Sequence, residues 1–214
     1  GRGVVAVSTG NHGRAVAQAA RAAGVPATVC LSTLVPANKV AAVRATGAEV
    51  RVGGRSQDEA QETAERLVEE EGKVFIPPFD HADVIAGQGT LGLEMLEDLP
   101  EAEALVVPLS GGGLIAGIAV AAKALKPSIR VIGVSMTRGA AMAASLAAGK
   151  PVAVEEVETL ADSLGGGIGL DNRYTFALVR DLVDQVVLLD EAEIAAGLAH
   201  AYAEEREVVE GGAA

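Results

Sequence analysis

Ser110-Gly111-Gly112-Gly113-Leu114 is wedged between two apolar segments, and few local structures accept such a junction. Residues 104–109 before it are short, β-branched and apolar, the pattern of a buried strand. Residues 115–122 after it are rich in alanine and, with their flanks, predict a helix. Strand, glycine turn and helix in succession define a βα unit whose turn is a candidate anion hole. Glycines let backbone N–H groups crowd around an oxyanion, and the helix N-terminus adds a partial positive charge. A phosphate is the first candidate anion. The plainer alternative is a tight turn that holds nothing.

A second junction of the same kind opens the chain. Ser8-Thr9-Gly10-Asn11-His12-Gly13 separates a predicted strand over 4–7 from a predicted helix over 14–23. Here hydroxyls and an amide join the backbone donors. Further strands are predicted over 27–31, 49–52, 73–76, 131–134 and 185–189. Helices are predicted over 37–46, 57–71, 83–96, 140–148, 174–182 and 191–206. Ser56 is placed to cap the 57–71 helix, with Glu59 in the capping-box position. Gly87, Gly89 and Gly92 inside the 83–96 helix point to close backbone approach. Short strands alternating with helices of about ten residues predict an α/β fold with parallel sheets. The double proline Pro77-Pro78 closes one βα series, which sets expected domains at 1–80 and 81–214.

Composition excludes several functions. The 214 residues carry a formal charge of −12, which opposes nucleic-acid backbone binding. Aromatics make up only 2% of residues, too few for a base-stacking platform. The single cysteine, Cys30, excludes an internal disulfide and any cysteine-built zinc cage, and its apolar setting suits a small core residue. No apolar run reaches membrane-spanning length and no signal peptide opens the chain, so a soluble cytoplasmic protein is expected. The start at Gly1-Arg2-Gly3 and the stop at Glu210-Gly211-Gly212-Ala213-Ala214 both read as cut ends.

Four stretches occur here in one order: Ser8-Thr9-Gly10-Asn11-His12-Gly13, Ile85-Ala86-Gly87-Gln88-Gly89-Thr90, Ser110-Gly111-Gly112-Gly113-Leu114 and Thr159-Leu160-Ala161-Asp162. In that combination the chain resembles the pyridoxal-phosphate (PLP) dehydratases of fold type II, the threonine and serine dehydratases and serine racemase. Residues 134–142 and 162–174 look most like the dehydratase of hydroxyectoine utilisation. The resemblance implies two parallel-sheet, three-layer αβα domains of the tryptophan synthase β-like type: a small substrate-loop domain and an incomplete large PLP-binding domain. Ser110, Gly111, Gly112, Gly113 and Leu114 would hold the cofactor phosphate. Asn11 would hydrogen-bond the pyridine hydroxyl, and Ser8, Thr9, Asn11 and His12 would close on the substrate carboxylate. The plain reading of His12 is that it caps the helix through its backbone; His81 and His200 read as ordinary polar residues. The implied activity is β-elimination from a hydroxy amino acid to a keto acid and ammonia, in a protein that forms a dimer or tetramer.

Two departures accompany the resemblance. The family's Schiff-base lysine lies before the Ser8 loop, whereas the first lysine here is Lys39, so the nucleophile is expected upstream of Gly1 and this stretch is expected to be inactive alone. Some relatives bind a divalent cation through acidic residues where Ser135 and Ala141 stand, so no metal is expected. Two other readings stay open on the residues alone. Gly111-Gly112-Gly113-Leu114-Ile115-Ala116 satisfies the G-x-G-x-x-A pattern of a dinucleotide-binding oxidoreductase. A degenerate, non-catalytic ligand-binding domain would also account for the missing lysine.

Overall fold

Val4–Val7 (β1) lies at the heart of a four-stranded parallel sheet, and its neighbours follow from apolar patterning. Ala27–Leu31 (β2) pairs with it in register, Val5 beside Thr28 and Val7 beside Cys30. Glu49–Val52 (β3) adds outside β2, and the short Val74–Phe75 (β4) on the other side of β1, in the order β3-β2-β1-β4. The computed structural model describes residues 2–8, 10–33, 35, 37–54 and 57–214. The chain divides into two compact units, Gly1–Pro78 and Phe79–Ala214.

Alternation along the strands builds three layers in the first unit. Val5, Val7 and Cys30 face one way and pack on Ala60, Ala64 and Leu67 of the helix Gln57–Glu71 (α3). Val29 and Leu31 face the other way, onto Ala17 of Asn11–Ala22 (α1) and Val43 of Ala37–Arg44 (α2). Strands buried on both faces read as unbroken apolar runs, which is why β1 and β2 are so plain in the sequence.

The second unit holds a three-stranded parallel sheet, Ala104–Pro108 (β5), Arg130–Met136 (β6) and Gln185–Leu189 (β7), in that order. Ala82–Asp98 (α4) precedes it, and Gly113–Leu125 (α5) joins β5 to β6. Ala141–Ala148 (α6), a 3-10 turn over Asp162–Leu164 and Thr175–Leu182 (α7) lie between β6 and β7. Glu191–His200 (α8) follows β7 under an Asp190/Glu193 capping box. Leu105, Val107 and Val131 bury one sheet face against Ile115, Ile118 and Ala119 of α5, with Phe176 and Val179 of α7 in the same core. On the opposite face Met136 packs with Ala161 and Ile194 of α8. Each fully buried side chain of this size contributes roughly 1.5–3 kcal/mol.

Element types agree with the sequence reading, and the boundaries differ for local reasons. The first helix starts at Asn11 rather than Arg14, with Gly10 as its N-cap. The last helix changes to a π turn over Ala201–Glu205 and stops at Arg206, whose φ of 63° is left-handed. Of the three α4 glycines, Gly89 and Gly92 do face a neighbouring backbone, while a β-carbon on Gly87 would meet nothing within 4 Å. The expected Ser56 cap lies outside the described residues.

Candidate cofactor site

The glycine turn follows β5 and enters α5 in the second unit. Gly112 is the N-cap of α5 with φ 89°, a left-handed backbone that costs an L-residue about 1–2 kcal/mol. Space forbids a side chain as well. A β-carbon on Gly112 would lie 2.8 Å from Met142 Cε and 3.1 Å from both Thr175 Cβ and Val179 Cγ2. One on Gly111 would overlap the Phe79 ring, and one on Gly113 would lie 2.8 Å from Phe79 Cα. The two glycines of the G-x-G spacing, Gly111 and Gly113, therefore have a steric origin in Phe79.

Gly111, Gly112 and Gly113 are buried, and among the described residues no acceptor takes their N–H groups or that of Leu114. Buried N–H groups without partners are uncommon, and a row of them at a helix N-terminus favours an oxyanion. The turn thus fits a phosphate. Ser110 differs from its neighbours in that its hydroxyl donates to the Leu164 carbonyl at 2.9 Å, which ties the turn to the Asp162–Leu164 segment. The residues just before that segment are held by Glu191, which accepts from Thr159 Oγ1 at 2.6 Å and Leu160 N–H at 2.8 Å. Both bonds, the hydroxyl's first, favour the ionised carboxylate and lower the Glu191 pKa.

In the first unit, Ser8 is buried and its hydroxyl accepts from Gly10 N–H at 3.0 Å. A serine that accepts one bond still has a proton to donate. Asn11 is exposed on the first turn of α1, and Thr9 lies outside the described residues. His12 is half-buried, with Nε2 3.0 Å from the Ile76 carbonyl oxygen just past β4. Burial lowers its pKa more than that backbone contact raises it. The ring therefore ties the loop to the end of β4, a contact that neither the capping nor the carboxylate-binding expectation for His12 contains. Gly13 also serves a purpose the sequence does not display: a β-carbon there would press 2.9 Å from Val29 Cγ1 and 3.2 Å from Ser8 Cβ.

The sequence matches the family described as pyridoxal-phosphate dependent enzyme over residues 1–214. The chain belongs to this PLP-dependent family. It is 59% identical over 213 residues to a Sinorhizobium fredii protein assigned as a threonine dehydratase, covering 100% of this chain and 64% of that protein. It is 44% identical over 213 residues to the L-threonine ammonia-lyase of Thermotoga maritima, covering 100% of this chain and 53% of that enzyme. Among solved structures, maize serine racemase superposes with a TM-score of 0.93 at 39% identity, over 99% of this chain and 63% of that one. The chain thus spans between about half and two thirds of the length of these relatives.

Several residues around the turn of this PLP-family chain escape a reading of the sequence. Phe79, Met142, Thr175 and Val179 wall it, and Asp80 caps α7 by accepting the N–H groups of Arg173, Tyr174 and Thr175. Asp80 sits just before α4 and resembles a local cap, yet His81 caps α4, its Nδ1 accepting from Asp83 N–H at 3.2 Å. Ser135 and Ala141 are both buried, the Ser135 hydroxyl 3.4 Å from Met136 Sδ.

Proposed function

We propose that the full-length protein is a PLP-dependent ammonia-lyase that converts a hydroxy amino acid, threonine or serine, to a keto acid and ammonia. The observation that supports this reading is the row of buried N–H groups at Gly111, Gly112 and Gly113 that find no acceptor among the described residues, in a chain of this family that is similar to threonine dehydratases. When bound, PLP supplies an electron sink that lets the substrate lose its α-proton and then its β-hydroxyl.

The chain's own residues bind and orient. The turn and the α5 dipole hold the phosphate and fix its position. Asn11 donates to or accepts from the pyridine hydroxyl. Ser8, Thr9, Asn11 and His12, with the first N–H groups of α1, take the substrate carboxylate. The resemblance implies a Schiff-base lysine before the Ser8 loop, and this chain spans between about half and two thirds of the length of its relatives, so turnover is assigned to the full-length protein. A homo-oligomer in the cytoplasm, working in hydroxyectoine catabolism, belongs to the same proposal.

Full-length protein incubated with PLP and L-threonine or L-serine tests it. Release of 2-oxobutanoate or pyruvate, followed with lactate dehydrogenase and NADH, is the expected result. A PLP-loaded protein that forms no keto acid from either amino acid would overturn it.

A further inference from the structure

We propose that Asp80 is a positioning residue for the phosphate-binding turn; this rests on the cofactor reading above. Asp80 and its neighbour Phe79 reach the turn by two routes. The Phe79 ring and backbone lie directly against Gly111 and Gly113. The Asp80 carboxylate acts through α7: Oδ2 accepts from Arg173 N–H at 2.6 Å, and Oδ1 from Tyr174 and Thr175 N–H at 2.9 Å each. Thr175 and Val179 of that helix then abut Gly112.

The cap comes from a distance. Tyr174, the N-cap of α7, makes no side-chain cap bond, and Asp80 supplies it from 93 to 95 residues away. A carboxylate at this end of the helix gains both charge-assisted bonds and the dipole. Asn172 completes the clamp, donating from Nδ2 to the Ile168 carbonyl and Thr175 Oγ1 while its Oδ1 accepts from Phe176 N–H. Thr175 is thereby fixed through its N–H and its hydroxyl, and its β-carbon forms part of the wall under Gly112. A left-handed glycine has no side chain to hold its peptide planes, so the direction of its N–H groups depends on such walls. Asp80 joins the two walls, Phe79 through the chain and α7 through three hydrogen bonds.

The test compares Asp80→Ala and Asp80→Asn with wild type in the full-length protein. Readouts are PLP affinity, the 31P resonance of bound PLP, and amide hydrogen exchange over 110–114 without cofactor. Asp80→Ala is expected to weaken PLP binding about tenfold, shift the 31P signal toward free PLP, and speed exchange over 110–114. Asp80→Asn keeps one acceptor oxygen and is expected to fall between, about threefold weaker. If both variants only lose thermal stability, with wild-type affinity, 31P shift and exchange, Asp80 is merely structural and the proposal is overturned. Should Asp80→Ala not fold, wild-type behaviour of Asp80→Asn in all three readouts overturns it equally. Wild-type protein that binds no PLP would overturn the cofactor reading instead, and the exchange data would still decide whether Asp80 holds the turn.

Discussion

Gly117 of α5 stands so close to Ile85 of α4 that a β-carbon on the glycine would overlap the Ile85 carbonyl oxygen. The closeness is reciprocal. β-Carbons on Gly89 and Gly92 of α4 would lie 3.2 Å and 3.0 Å from the carbonyl oxygens of Gly117 and Ile118. Backbone meets backbone here, and α5 begins at the glycine turn, so this packing fixes the helix that carries the turn at its N-terminus.

Gly117→Ala is expected to destabilise the protein by roughly 1–3 kcal/mol, because the rigid neighbour is backbone. Gly87→Ala is the matched control in α4: it meets open space and should be neutral or stabilise by about 0.5–1 kcal/mol through helix propensity. Urea denaturation of both variants checks this, and equal effects would contradict the close packing of the two helices.

Asn11→Ala should leave the fold intact, since the side chain is exposed on the first turn of α1. The role proposed for Asn11 toward substrate and cofactor predicts a KM for the amino acid about tenfold higher and weaker PLP binding. Steady-state kinetics with circular dichroism as the control measure it. A wild-type KM and PLP affinity would remove Asn11 from the site.

His12 gives the first unit a pH signature. Burial holds its imidazole below the ordinary value of 6.5, so the unfolded chain takes up a proton more readily than the folded one. Stability therefore rises with pH between the lowered folded value and 6.5, is fully present above 6.5, and is lost as acid is added. His12→Gln should flatten the slope of unfolding free energy measured from about pH 5 to 7.5. An unchanged slope would show that the ring does not titrate with folding.

The fold is legible where burial on both strand faces writes itself as an apolar run, as in Val4–Val7 and Ala27–Leu31. Glycine-turn chemistry is legible too, because φ and space at Gly112 leave no other residue. The true start of α1 is hidden, since Asn11, His12 and Gly13 look like loop residues. Gly13 is glycine for its contact with Val29 on another element, which no local pattern reports. Asp80 is hidden for the same reason: the N–H groups it accepts come some 93 to 95 residues later, and its position before α4 suggests a different helix.

PLP affinity of the folded Gly112→Asp variant against wild type, in the full-length protein, tests the phosphate cradle most directly. A carboxylate at this position meets a left-handed backbone, the Met142 methyl at 2.8 Å from its β-carbon, and the negative charge of the phosphate. Like-charge juxtaposition costs several kcal/mol, which predicts binding weaker by about a hundredfold or more. Wild-type affinity in a variant with native circular dichroism would contradict the assignment of residues 110–114 to the cofactor phosphate.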